Sequence, residues 1–170
     1  YQKWAPSYDN ELTENQYVTP LRCAQILSNY TKNKNIKILD IGCGTGLLGF
    51  ELKEIGFKSI DGLDLSEEML KIAEQKKIYQ SLFNFDLNNP TDFNYKYDAI
   101  IAAGVISPTH ANPDTILSSY SILKKKGLMI FSINDHALND TLFFNSIKKT
   151  IQYSNFILLD QIYGDHIKEL

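Results

Sequence analysis

Apolar runs of strand length alternate with stretches of helical period along most of this chain. That alternation restricts its fold more than any other feature. The strand-like runs fall at residues 36–41, 59–63, 81–85, 97–103, 128–133 and 156–162. Between the first two, Leu48, Leu52 and Ile55 recur at helical spacing, and Gly56 follows as a stop. Ser66 is placed to cap the next helix, with Glu67 and Glu68 in the first turn and Met69, Ile72 and Ala73 on one face. Asn112 before Pro113 reads as an N-cap and a first-turn proline, with Ile116, Leu117, Tyr120 and Leu123 as the apolar stripe and Gly127 closing the helix. A further helix starts near Asp140 and carries Phe143, Ile147 and Ile151 in register. Upstream of the first strand, Thr19-Pro20 opens a helix with Leu21, Ala24 and Leu27.

Strands separated by helices are joined by crossovers and lie parallel, so both faces of the sheet are covered. The predicted fold is α/β: a doubly wound, mostly parallel sheet of Rossmann-like type in three α/β/α layers. An eight-unit barrel needs roughly 200 residues or more, and the 170 here fall short. Hydrophobic residues at 44% and charged residues at 22% match one ordinary globular domain. Within it, residues 1–33 read as an N-terminal lid and helix segment and residues 34–170 as the ligand-binding domain. Open sheets of this kind bind ligands beyond the carboxyl ends of the strands, near the point where the strand order reverses. The residues that follow each strand are therefore the candidates for function.

The first strand runs into Asp40-Ile41-Gly42-Cys43-Gly44-Thr45-Gly46 and then directly into a helix. Glycines there allow a sharp turn and close approach of a ligand to the main chain. The helix N-terminus adds unpaired N–H groups. The second strand leads to Asp64, where an acid can accept from ribose hydroxyls. The third leads to Asp86-Leu87 and the fourth to Ala102-Ala103-Gly104.

In these residues the chain resembles the class I S-adenosylmethionine-dependent methyltransferases. Residues Ile38 to Gly46 closely match that family's first motif, D/E-x-G-x-G-x-G. The likeness continues through Asp64, Asp86 and Lys126-Gly127-Leu128. Trp4-Ala5-Pro6-Ser7-Tyr8-Asp9 looks like the opening of a small-molecule branch, the ubiquinone-methyltransferase-like group. The resemblance implies S-adenosyl-L-methionine as cofactor and methyl transfer to a small-molecule acceptor. It implies that Gly42 and Gly44 let the loop pass under the methionine part, and that Asp40 supports the loop and reaches the amino group through water. Asp64 would hold the two ribose hydroxyls, with Leu65 and Met69 lining the adenine slot. Asp86 would accept from the adenine amino group, and the Leu87 N–H would meet a ring nitrogen. The Ala103 carbonyl would face the ammonium group, and Trp4 and Tyr8 would form a lid. His110, in the loop after the fourth strand, is the candidate proton acceptor. The family usually finishes with an antiparallel seventh strand beside the sixth, and this chain stops after its sixth strand-like run.

Two other readings stay open at this level. Gly44-Thr45-Gly46-Leu47-Leu48-Gly49 also fits the dinucleotide fingerprint G-x-G-x-x-G, with Asp64 lying 20 residues past Gly44. That pattern would make the chain an NAD(P)-binding oxidoreductase. Against it, the turn already begins at Gly42, and an acid, Asp40, closes the strand. The third reading is a non-catalytic S-adenosylmethionine-binding module.

Composition narrows the partners. With 17 basic and 20 acidic residues the net charge is −3, and no basic run offers a nucleic-acid surface. Arg22 is the only arginine, which argues against a forked phosphate clamp. Cys23 and Cys43 fit neither a zinc pattern nor a C-x-x-C pair, so no metal site is expected. Free thiols, no apolar stretch near the roughly 20 residues of a membrane helix, and no signal peptide point to the cytoplasm. A monomer or a homodimer is expected, with no membrane partner.

Overall fold

The structure is a computed structural model and describes residues 17–86, 95–108, 113–153 and 156–164. In chain order the elements are α1 (Thr19–Tyr30), β1 (Lys37–Ile41), α2 (Leu47–Glu54), β2 (Ser59–Asp64), α3 (Glu67–Gln75), β3 (Ser81–Asn84) and β4 (Tyr97–Ala102). There follow α4 (Asp114–Ile122), β5 (Leu123–Phe131), α5 (Asp135–Asn139) and α6 (Thr141–Tyr153). The strands form one sheet in the order β3-β2-β1-β4-β5, and every neighbouring pair is parallel. The chain winds from β1 outward through β2 to β3, then returns to the other side of β1 with β4. The strand order therefore reverses between β1 and β4, and their carboxyl ends open the crevice where such sheets hold ligands.

Period-two alternation divides the core into two faces. Leu39, Ile41, Leu63, Ile100 and Ala102 point to one face and pack with Ile116, Ile122 and Ile147 of α4 and α6. Ile38, Ile60, Ala99 and Ile101 point to the other and pack with Cys23, Ala24 and Leu27 of α1 and Leu48 and Leu52 of α2. Both faces of the central strands are covered, as a parallel sheet requires. Helix α1 joins this core through Cys23, Ala24 and Leu27.

A buried polar pair, Asp61 and Tyr97, lies within the apolar layers. The fully buried Tyr97 donates its hydroxyl to Asp61 Oδ2 at 2.9 Å, and Lys37 Nζ reaches the same oxygen at 3.2 Å. A buried carboxylate is tolerated only when paired and hydrogen-bonded, and Asp61 has both partners. Burial first, then the bond to Asp61, pushes the Tyr97 hydroxyl well up, so it remains a donor.

Three sequence expectations need correction. The run at 156–162 is not a strand; residues 156–164 carry no regular structure, and Ile157, Leu158, Leu159 and Ile162 are exposed. This segment is instead held at α1, where Arg22 Nη2 donates to the Ile162 carbonyl and Tyr30 Oη to Asp160 Oδ2, both at 3.4 Å. Gly127 does not close α4. The helix stops at Ile122, and Leu123 already pairs with Tyr97 in β5, which runs on through Gly127. The stripe of α4 is also rotated: Thr115, Ile116, Ser119 and Ile122 are buried, whereas Leu117 and Tyr120 are 39% and 47% exposed. Ser119 satisfies its buried hydroxyl on the Thr115 carbonyl at 2.7 Å, so small polar residues take the inner face. Tyr120 meets the Phe156 ring edge-on at 5.5 Å instead.

Candidate functional site

The carboxyl end of β1 turns sharply because three glycines take left-handed backbone conformations: Gly42 at φ 63°, Gly44 at φ 52° and Gly46 at φ 94°. Residues with a Cβ adopt that region at a cost. Cys43 N–H donates to the Leu63 carbonyl at 3.0 Å, which carries the β1–β2 pairing into the turn. Gly46 N–H donates back to the Cys43 carbonyl at 2.8 Å and closes it.

Asp64, at the end of β2, fastens this turn from the side. Its Oδ2 accepts from Gly44 N–H and its Oδ1 from Ser66 N–H, each at 2.8 Å. Ser66 then caps α3, its hydroxyl accepting from Met69 N–H at 3.3 Å. Each carboxylate oxygen has two acceptor sites, so both oxygens keep capacity for a ligand hydroxyl. Asn84, at the end of β3, completes this corner by donating to the Leu65 carbonyl at 2.9 Å and the Asp64 carbonyl at 3.3 Å.

Asp40 lies beneath the turn and is 1% exposed. Its Oδ2 accepts the Tyr79 hydroxyl at 2.7 Å. Burial pushes its carboxyl up to about 7; the Tyr79 hydroxyl opposes that rise, the Asp64 charge adds to it, and the Gly49 N–H in the first turn of α2 opposes it. The two thiols are a different case. Burial, then the Asp40 charge, pushes Cys23 up to about 12 and Cys43 higher still, so neither serves as a nucleophile near neutral pH.

The two turn glycines differ in what surrounds them. A Cβ on Gly44 would meet no described residue within 4 Å, so the described part of the chain leaves the main chain there uncovered. A Cβ on Gly42 would lie 2.5 Å from Val105 Cγ2, so that side is filled by the chain after β4. Val105 thus fills only the side of Gly42 on which a Cβ would stand.

Asp40, Gly42, Gly44 and Asp64 are thus joined through one turn at the β1–β4 switch point. Ala103 is half-buried beyond the end of β4, next to Gly104, whose N–H donates to Ser132 Oγ at 2.7 Å. Leu65 is 64% exposed and Asp86 is exposed beyond β3, both on the β2–β3 side of the crevice. Met69 is 3% exposed and packed inside. Trp4, Tyr8, Leu87 and His110 lie outside the described residues. Among the described residues no cluster of His, Cys, Asp and Glu could hold a metal ion, and no helix is long and apolar enough to cross a membrane.

Sequence reasoning missed Tyr79. Its signal was present but distributed: a tyrosine just ahead of β3, and glycines at 46, 49 and 62 that leave room for its ring.

Residues 16–167 match a family model described as a methyltransferase domain. The chain belongs to this family. Among curated relatives, Methyltransferase-like protein 27 of Homo sapiens is 28% identical over 144 residues, covering 82% of this chain and 58% of that protein. Malonyl-[acyl-carrier protein] O-methyltransferase of Halalkalibacterium halodurans is 34% identical over 108 residues, covering 59% of this chain and 40% of that enzyme. The chain therefore spans well under two thirds of the length of these relatives. The crystal structure of ribosomal protein L11 methylase from Lactobacillus delbrueckii subsp. bulgaricus has the same fold: TM-score 0.66 at 24% identity, covering 85% of this chain and 72% of that one. Within this methyltransferase domain, the G-x-G-x-x-G spacing has a local explanation. Its last glycine, Gly49, makes room for Tyr79: a Cβ there would lie 2.5 Å from the ring carbon Cζ and the hydroxyl.

Proposed function

We propose that this domain binds S-adenosyl-L-methionine and transfers its methyl group to a small-molecule acceptor. The observation that carries the reading is the Asp64 carboxylate, fixed by Gly44 and Ser66 N–H groups with acceptor capacity remaining, beside the main chain at Gly44 that no described residue covers. A ligand with vicinal hydroxyls and a cationic centre suits that arrangement, with Asp40 and Asp64 both near the turn.

S-adenosylmethionine, when bound, supplies a methyl group on a positively charged sulfur. The chain's own contribution is positioning and charge. Gly44 lets the ligand lie against the backbone, Asp64 accepts the ribose hydroxyls, and Asp40, whose ionised form a cationic ligand favours, lies below the turn. Leu65, Asp86 and Leu87 would surround the adenine, with Met69 packed behind; Ala103 would offer its carbonyl on the β4 side. Trp4 and Tyr8 as a lid, and His110 as a proton acceptor, rest on the family resemblance. Alignment of two reactants alone is worth on the order of 7–11 kcal/mol, which suits a site rich in positioning groups.

The acidic balance and the Ala102-Ala103-Gly104 end of β4 support a small acceptor over nucleic acid. The two buried thiols suit a reducing compartment, the cytoplasm. Side-by-side calorimetry with S-adenosylmethionine, S-adenosylhomocysteine, NAD and NADP tests the cofactor. Micromolar binding of the first pair, about −8 kcal/mol, and none of the second is expected; the reverse pattern overturns the reading. Methyl-release assays with small-molecule pools and with protein acceptors test the acceptor class, and turnover with protein alone overturns the small-molecule assignment. Binding without turnover under either condition identifies a non-catalytic module.

A further inference from the structure

We propose that Tyr79 is a positioning residue for the cofactor turn: seated against three glycines, its hydroxyl holds the Asp40 carboxylate in place and in its charged form for a cationic ligand. The inference rests on the S-adenosylmethionine reading above and adds to it a residue that no motif contains.

The seat for Tyr79 is specific. A Cβ on Gly49 would lie 2.5 Å from the tyrosine Cζ and Oη and one on Gly46 3.1 Å from Cε2; one on Gly62 would lie 3.1 Å from Cδ1, and nearer still to Leu82 Cδ2 at 2.8 Å and Cys43 Sγ at 3.0 Å. Three glycines, from the start of α2, its first turn and the middle of β2, thus leave the volume that the ring fills. The hydroxyl ends 2.7 Å from Asp40 Oδ2. Phenylalanine would fill the same volume, so ring packing alone does not call for the hydroxyl. The hydroxyl is called for by its bond to Asp40 and by the Gly49 backbone N–H beside it; of the two, the bond to the carboxylate is the stronger, because hydrogen bonds to charged groups exceed neutral ones.

Among the described residues, four ionisable groups interact with Asp40, while β4 and α2 bring only apolar side chains or backbone to it. They are Tyr79 ahead of β3, Asp64 at the end of β2, the Cys43 thiol in the turn and the Cys23 thiol on α1. The thiols stay neutral, and Asp64 repels a second negative charge. Tyr79, with the Gly49 N–H, is the group that favours the carboxylate form. A cationic ligand gains from that form, so Tyr79 acts on binding through Asp40.

The test compares the full chain with Tyr79→Phe. The Asp40 carboxyl is followed by carbon NMR without ligand, and S-adenosylhomocysteine and S-adenosylmethionine affinities are measured by calorimetry from pH 6 to pH 9. Loss of one hydrogen bond to a carboxylate should move the Asp40 midpoint up by about one pH unit or more. S-adenosylmethionine affinity should fall about tenfold near pH 7 and recover toward pH 9, where Asp40 is ionised in both chains. An unmoved midpoint, or a loss of affinity equal at every pH, overturns the proposal. A wild-type chain that binds neither ligand overturns the cofactor reading itself; binding that survives Tyr79→Phe unchanged overturns only the role of Tyr79. Where Tyr79→Phe does not fold, the wild type decides. The Tyr79 hydroxyl proton, the Asp40 carboxyl and ligand affinity must then change with one common midpoint, and separate midpoints overturn the proposal.

Discussion

Asp64 and Gly44 are joined by a 2.8 Å hydrogen bond that ties the end of β2 to the middle of the glycine turn. The same carboxylate holds Ser66 N–H at 2.8 Å, so one side chain positions both the turn and the start of α3. Asp64→Ala should therefore do two things. It should weaken S-adenosylmethionine binding by about 1.5–3 kcal/mol, the range for hydrogen bonds to a charged group. It should also destabilise the ligand-free chain by about 1–3 kcal/mol, because two backbone N–H groups lose their acceptor. Strand-end position alone suggests that folding is spared; the geometry argues otherwise. Calorimetry and denaturant unfolding of the ligand-free variant check both parts, and an unchanged unfolding midpoint would show that the two bonds carry no stability.

Gly42 and Gly44 should respond differently to an added side chain. Gly44→Ala meets no described residue and carries the left-handed backbone penalty, about 1–2 kcal/mol. It should fold, with a modestly lowered melting temperature, and lose most cofactor affinity because the methyl occupies the ligand's side of the turn. Gly42→Val drives a branched side chain into Val105 and should destabilise the chain several-fold more. Thermal unfolding of the two variants together is decisive. A Gly42→Val chain as stable as Gly44→Ala would mean that Val105 moves aside freely.

The strands and the glycine turn were legible because their signals are local. The apolar run at 36–41, the Asp-x-Gly-x-Gly-x-Gly turn and the Ser66 cap each depend on near neighbours in sequence. The errors have a common cause in distant pairing. Leu123 looked helical by spacing, yet its backbone pairs with Tyr97 and so begins β5. Residues 156–162 have the composition of a strand, but a strand also requires a partner, and this segment meets α1 instead. Tyr79 was overlooked for the same reason, since its meaning depends on glycines 17 to 33 residues earlier in the chain.

At the far end of the sheet from the turn, Tyr97→Phe isolates the cost of the buried Asp61 pair. The variant keeps the ring and removes the Tyr97 hydroxyl from that carboxylate, leaving Lys37 at 3.2 Å. A buried acceptor that loses one partner costs about 1–3 kcal/mol. Unfolding experiments should show that loss, while cofactor affinity stays within about 0.5 kcal/mol of wild type, as expected for well-separated sites. A comparable drop in cofactor affinity would mean that the Asp61 pair and the glycine turn are coupled through the sheet.

Asp40 makes the stability of the ligand-free chain depend on pH, and the direction follows from its burial. The group titrates near 3.8 in an unperturbed setting and near 7 in the folded chain. Between those values the folded state holds a proton that the unfolded state has released. Its favourable contribution is thus complete below about pH 4 and is lost progressively as pH rises through about 7, at up to about 1.4 kcal/mol per pH unit. The full span is on the order of 4 kcal/mol. Asp40→Asn removes the titration while preserving shape, so its stability advantage over wild type should grow from about pH 4 to about pH 7 and level off above about pH 8. Ligand affinity should run the other way. A cationic cofactor favours ionised Asp40, so wild-type affinity should rise from about pH 6 to about pH 8, and binding at the lower pH should release a proton. Calorimetry in buffers of different ionisation heat measures that proton directly. Parallel stability curves for wild type and Asp40→Asn, together with ligand binding that releases no proton, would place the Asp40 titration outside both folding and cofactor binding.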